Sequence, residues 1–527
     1  MGILSFLGFT LLVGVISYFA TRKTDENTSD GYFLGGRSLT GVVIAGSLLL
    51  TNLSTEQIVG LNGAAFTEGI LVMAWETLAA IAMVITAVFL LPRYLKGGIT
   101  TVPQFLERRY DTTTKAITSG LFLSGYVVVF LPIVLYSGSL AISTMFDVPE
   151  LLGVSKTMSI WICVFGIGIT GSIYAIFGGL KAVAVSDTIN AVGLLIGGIM
   201  IPIFGLLEIG DGNLGEGLTT LFKDNPEKFN SIGSSEASVP FTTIFTGMML
   251  VQLFYWGTNQ AIIQRALGAK NLKEGQKGLI LASFIKILGP LIVVLPGVIA
   301  FHMFGDTLTN ADEAYPTLVS KVLPLSLVGF FAAVLFGAIL SSFNSALNSS
   351  VTLFGIDIYK EYINKEASER QTVKAGKLFG IVLALLAMVI APFIANAPDG
   401  LFGYLQQVNG CYSIPILTII VVGYLTKNVP AIAAKVAIIS GALLYLFYVV
   451  LDNVVMQDGF PLHFLHVMAI LFILNIIIML VIGKLYPREQ AYEQQYTKEV
   501  DITPWKSVKL VGGLICIIVV GIYIYFS

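Results

Sequence analysis

Charge is scarce in this chain. Only 12% of its 527 residues are Asp, Glu, Lys or Arg, about half of what a soluble protein carries. The two signs nearly cancel, at 30 basic and 32 acidic residues. That excludes a nucleic-acid binder working through a basic face, a disordered chain and an ordinary cytoplasmic enzyme. The three cysteines, Cys163, Cys411 and Cys516, each lie in an apolar run, so neither a disulfide framework nor a redox site is visible. The three histidines, His302, His463 and His466, form no metal-ligand set. Phosphate loop, nucleophile triad, zinc spacing and ATPase motif are missing, so the chain is not expected to be an enzyme.

Long apolar runs are abundant instead, in a chain that is 55% hydrophobic. They are continuous, which excludes the short alternating segments of a membrane β-barrel. With roughly 20 apolar residues needed per crossing, about fourteen segments qualify. They lie near 3–20, 40–63, 69–96, 115–145, 157–179, 184–209, 240–262, 277–304, 325–358, 373–395, 399–425, 430–452, 461–485 and 506–526. The first is followed by Arg22 and Lys23 without a small-residue cleavage site, and reads as a retained helix. Loops after odd-numbered segments hold roughly 25 of the 30 basic residues, which places them in the cytoplasm and both termini outside. The fold class expected is an all-α polytopic membrane protein, a single transmembrane domain over 1–527 in the cell (inner) membrane. Residues 101–110 read as a short interfacial helix with Arg108 and Arg109 at the headgroups.

Polar groups inside spans are costly and mark function. The second segment carries Asn52, Ser54, Thr55, Glu56, Gln57 and Asn62. Such a run fits a discontinuous helix that binds a cation through freed carbonyls and a solute through side chains; an interhelical packing cluster is the competing reading. The seventh segment has Gln252, Gly257, Asn259 and Gln260, with a break expected at Gly257. Two interrupted helices five apart suggest five-helix inverted repeats, 40–209 and 240–425, with 3–20 and 430–526 as additions. In the ninth segment, Ser341, Ser342, Ser345 and Ser349 fall three to four residues apart, on one helical face. They suit a hard cation such as Na+, or close packing of small residues. Glu76 and Lys286 are single mid-span charges, expected to face one cavity with a polar solute between them. A structural ion pair is the alternative. Asp187 is expected at a helix start, as a cap or on an ion path.

At DGYFLGGRS (30–38), TNLSTEQIVG (51–60), TVPQFLERRY (101–110), YAIFGGLKAVAVSD (174–187), FYWGTNQAIIQR (254–265), EGQKG (274–278), LSSFNSALNSS (340–350) and DIYKEYI (357–363) the chain resembles the solute:sodium symporter family, on its sodium/sugar, galactose-type branch. The resemblance implies a LeuT-like five-plus-five inverted repeat with about 14 helices, and Na+-coupled symport of a monosaccharide by alternating access. It implies a sodium site from the carbonyls of Leu50, Leu53 and Ala338 and the hydroxyls of Ser341 and Ser342. It places the sugar at Asn52, Gln57, Glu76, Gln252, Lys286 and Gln406. The inner gate falls on Tyr255, the outer gate on Leu61, Trp75 and Phe402, and the sodium exit on Asp187. The chain departs from that branch at Gln252 (asparagine there), Ala79 (a hydroxyl), Trp75 (tyrosine) and Leu61 (methionine), so the pocket is reshaped.

Gln57, Gln252, Gln406, Glu76 and Lys286 offer both donors and acceptors, and the aromatic gates offer flat faces, which together suit a neutral polyol. The other solutes considered on the same fold are myo-inositol, a sialic-acid-like sugar acid, a carboxylate or vitamin, and an amino acid. A non-transporting sensor or a facilitator is the reading from another class.

Overall fold

The computed structural model describes residues 2–21, 28–396, 401–456 and 459–527; Arg22 and Lys23 lie outside the described residues. The chain is helical, and among the described residues the one strand-like contact is a bridge between Leu39 and Ala269. Among the described residues ten helices are long and apolar enough to cross a membrane, or eleven when the pair Leu272–Ile287 and Gly289–Phe304, bent by 50°, is counted as one span. The length criterion passes over helices interrupted mid-way, such as α2 (Gly41–Asn52), which has 12 residues.

Both expected interruptions are present. Helix α2 stops at Asn52, Leu53 leaves helical geometry (φ −76, ψ 59), Ser54 is extended, and α3 (Thr55–Glu68) begins. The amide of Ser54 turns to the carbonyl of Asn52 at 2.8 Å. In a continuous helix it would bond Leu50, whose carbonyl therefore loses that partner. Short polar side chains compete with helical hydrogen bonding, and three of them flank this break. Helix α4 (Ala74–Ile85) follows.

The second interruption separates α6 (Gly247–Gly257) from α7 (Gln260–Leu267). The long helical stretch before it, α5 (Lys156–Ile209), is folded at Gly179 (φ 60) into two arms. The α6–α7 break falls at Thr258 and Asn259, one residue later than expected. Asn259 caps α7 through the amide of Ala261 at 3.0 Å and accepts the hydroxyl of Tyr126 at 2.6 Å. Gly257 serves a close approach instead: a Cβ there would stand 2.5 Å from Leu90 Cδ1. Next come α8 (Leu272–Ile287) and α9 (Gly289–Phe304), the bent pair, then the serine-bearing α10 (Leu325–Thr352) and α11 (Leu401–Leu425).

Two expectations are corrected here. Asp187 does not begin a helix; the second arm of α5 starts at Gly179, where the positive φ suits glycine, and Asp187 sits inside it. Arg109 does not reach for headgroups. It ends the capped helix Val102–Arg109, is wholly buried, and donates to the carbonyls of Gly423 (2.9 Å), Val429 (3.0 Å) and Thr426 (3.0 Å). These carbonyls close the end of α11, where a cation complements the helix dipole.

The basic loops do gather on one face. Arg37 bonds the carbonyl of Gly98 (2.9 Å) and Glu499 (3.3 Å), Lys115 meets Glu107 (2.8 Å) and Glu361 (3.2 Å), and Arg488 donates to the carbonyl of Arg109 (2.6 Å).

Candidate functional site

The two broken helices meet in the middle of the bundle and enclose a chamber. Asn52, Glu56 and Gln57 come from the first break, Val251, Gln252 and Tyr255 from α6, and Phe402, Leu405, Gln406 and Asn409 from α11, with Trp75 and Phe130 completing the wall. Its volume is about 30 Å³, room for about two waters at some 10–15 Å³ each. A wider vestibule of about 500 Å³ lies beyond it, on the side away from the basic loops, lined among others by Gly63, Glu68, Ser238, Asp312 and His463. Trp75 and Phe402 line both spaces. Their rings meet edge to face, centroids 5.2 Å apart, so this one aromatic pair forms the partition. Gly60 lets Phe402 come close, since a Cβ there would stand 2.6 Å from Phe402 Cβ.

Asn52, Gln57, Gln252, Gln406, Tyr255, Trp75 and Phe402 thus converge on the chamber. Glu76, Lys286 and Leu61 do not line it. Glu76 and Lys286 are in direct contact behind the wall, 0% and 1% exposed, which leaves no space for a solute between them. Gln57 donates from Nε2 to Glu76 Oε1 at 2.5 Å. The pair sits against the α8–α9 bend, where a side chain at Gly289 would collide with the Glu76 carboxylate. Leu61 is buried in the apolar core beneath the vestibule. Gln252 is also held in place: it donates to the carbonyl of Trp75 (2.9 Å) and accepts from Trp256 Nε1 (3.2 Å).

The serine helix closes on the first break. Ser342 donates to the carbonyl of Thr51 (2.8 Å), and the Thr51 and Ser345 hydroxyls pair at 2.9 Å. Leu50, Leu53 and Ala338 share one core cluster. Ser341 is buried with its hydroxyl turned to Asp187, the carboxylate that Ser47 also bonds. The freed Leu50 carbonyl is next in the chain to the Thr51 carbonyl that Ser342 bonds, and carbonyl and hydroxyl oxygens are the donors a hard monovalent cation takes. A lateral cavity of about 540 Å³ reaches Ser341 and Asp187 from the side of α1 (Gly2–Thr21).

Beneath this, on the basic-loop side, Arg265 is wholly buried. It contacts Ser345, donates to the carbonyl of Ala261 (2.5 Å) and reaches Ser47 (3.4 Å), which donates to Asp187 (2.7 Å). One guanidinium therefore ties α7, α2, α10 and α5 together under the chamber.

The sodium:solute symporter family matches residues 32–441. The chain belongs to that family. It is 49% identical over 521 residues to an uncharacterized symporter, YidK, of Escherichia coli (strain K12), covering 99% of this chain and 90% of that protein. It is 31% identical over 455 residues to a sodium/glucose cotransporter of Vibrio parahaemolyticus, covering 81% of this chain and 80% of that protein. A Na+-coupled sialic acid symporter, solved in a substrate-bound outward-open state, superposes with a TM-score of 0.78 at 20% identity, over 94% of this chain and 99% of that one. The likeness at that identity speaks for a shared transporter fold. A symporter is a carrier and not an enzyme.

Sequence reasoning passed over two residues of this symporter's centre. Glu56 appears in the polar run, but only the folded chain turns it into the chamber. Arg265 looks like one more basic loop residue. The signal was local: Gln260 and Gln264 lie four residues apart, with Arg265 next to Gln264, right after a helix break and inside an apolar segment.

Proposed function

We propose that the chain is a sodium-coupled symporter of a neutral monosaccharide-like polyol, working by alternating access in the cell membrane. It crosses the bilayer fourteen times with both termini outside, and its two five-helix repeats, 40–209 and 240–425, carry one broken helix each. Na+ binds between the carbonyls of Leu50, Leu53 and Ala338 and the hydroxyls of Ser341 and Ser342, and leaves past Asp187. The solute binds to Asn52, Gln57, Gln252 and Gln406. Glu76 and Lys286 act from behind by fixing the Gln57 amide. Trp75 and Phe402 gate the outer side, and Tyr255 the inner.

The observation that carries this reading is the juxtaposition at the first break. The same interruption that frees the Leu50 carbonyl, next to the Thr51 carbonyl bonded by Ser342, also aims Asn52 and Gln57 at an amide-lined, aromatic-walled chamber. One helix break thus serves ion and solute together, as coupling requires. One Na+ moving down 100 mV and a tenfold gradient contributes about 3.7 kcal/mol, enough to concentrate a neutral solute about 400-fold.

A thermal-shift screen of monosaccharides and myo-inositol, in sodium and then in choline, tests it. A neutral sugar is expected to raise the melting temperature in sodium alone. Stabilisation by carboxylates or amino acids, with no response to sugars, would move the substrate assignment to those classes.

A further inference from the structure

Most of the chamber's polar side chains are bonded to protein. Gln57 is bonded to Glu76, and Gln252 to Trp75 and Trp256. Two acceptors that line the chamber have no hydrogen bond of normal geometry: Oε2 of Glu56, and Oδ1 of Asn52, whose amide lies against Tyr255. Glu56 is 4% exposed, and the polar groups that approach its carboxyl are local ones, the Ser54 hydroxyl and its own backbone amide. Glu56 is also the one charged residue among those lining the chamber. Glu76 and Lys286 cancel each other, and Arg265 is engaged below by Ser345, Ser47 and Ala261.

We propose that Glu56 sets the charge preference of the chamber, accepting a hydrogen bond from a solute O–H or ammonium and rejecting solutes that carry a carboxylate. This deepens the polyol reading above and rests on it. The reason is elementary. A buried acceptor without a donor is costly, and a buried carboxylate more so. A hydroxyl or ammonium relieves that cost by bringing the missing donor. The carboxylate of a sugar acid brings a second negative charge into a low-dielectric space, and itself offers no donor. Asn52 Oδ1, one helical turn before Glu56 across the break, asks for the same chemistry. Both therefore select solutes that present donors toward the first break, beside the bonded Gln57 amide and across from the bonded Gln252 amide of α6.

The test uses the purified full chain and three matched probes, galactose, galactosamine and galacturonate, in saturating sodium. The wild type is expected to bind galactose and galactosamine and to disfavour galacturonate by more than about tenfold. In Glu56→Gln the galacturonate penalty should fall to about threefold or less, while Glu56→Asp, which keeps the charge, retains it. A sodium titration without solute gives an independent readout: Glu56 follows the sodium-site carbonyl of Leu53 by three residues, so Glu56→Gln should weaken sodium binding several-fold and Glu56→Asp should not. Equal binding of galactose and galacturonate by the wild type, or a ratio unchanged in Glu56→Gln, overturns the assignment. If no sugar binds but the sodium shift is present, the polyol reading fails and the negative chamber stands. If no sugar binds and sodium binding is also unchanged in Glu56→Gln, the charge assignment fails as well.

Discussion

Lys286 and Glu76 form a wholly buried ion pair, 1% and 0% exposed, with Gln57 donating to the free carboxylate oxygen. Breaking such a pair leaves one uncompensated charge. Glu76→Ala and Lys286→Ala are each expected to cost about 3 kcal/mol or more of stability. The double variant Glu76→Gln/Lys286→Met should lose less than the two single changes together, because neither charge is then stranded. Thermal unfolding in detergent measures this. Glu76→Gln alone should also impair solute binding, since the Gln57 amide loses its anchor.

Ser342 bridges the serine helix to the carbonyl of Thr51. Ser342→Ala removes that bond and a proposed sodium ligand together. The expected outcome is a raised sodium requirement for solute binding, with the solute affinity at saturating sodium changed little. A sodium titration at fixed solute checks it; an unchanged midpoint removes Ser342 from the ion site.

The Trp75–Phe402 pair separates chamber from vestibule. Trp75→Ala should let reagents in. With Cys163, Cys411 and Cys516 replaced by Ser and Gln57→Cys as reporter, a membrane-impermeant thiol reagent is expected to label the chamber several-fold faster in Trp75→Ala than in its parent. Gly60→Ala should act in the same direction, because the added methyl displaces Phe402.

Arg265 ties four helices beneath the chamber. Arg265→Ala takes one hydrogen bond each from Ser345, Ser47 and the Ala261 carbonyl in a wholly buried place, while Ser345 keeps Thr51 and Ser47 keeps Asp187. A loss of about 2 kcal/mol or more is expected, with labelling of Gln57→Cys from the basic-loop side rising at the same time. Unchanged labelling would mean that the seal lies elsewhere.

Much of this arrangement was legible because the bilayer makes sequence rules strict. Six polar side chains in one span announced the first break, and Glu76 and Lys286 each predicted a partner, since neither charge survives alone in hydrocarbon. The sorting of lysines and arginines gave the face on which Arg37, Lys115 and Arg488 gather. What failed was local. Asp187 reads in sequence as the start of a helix, but Gly179 already turns the chain and Asp187 lies inside the arm that follows. Arg109 was placed at headgroups from its neighbour, although the carbonyls that hold it arrive from 423–429, far along the chain. The solute expected between Glu76 and Lys286 had no room, because side-chain reach, and not sequence position, decides whether two opposite charges touch. Glu56 and Gln57 were equally polar on paper; only the register of α3 separates the bonded amide from the unpartnered carboxylate.

Coupling itself is tested most directly by uptake of labelled galactose into proteoliposomes holding the purified chain, with an inward gradient of sodium or of choline. With sodium, galactose should accumulate inside above its external concentration and drain when the gradient is dissipated, and Gln57→Ala should abolish the effect. Equal uptake in sodium and choline, or equilibration without accumulation, would contradict sodium-driven transport through this chamber.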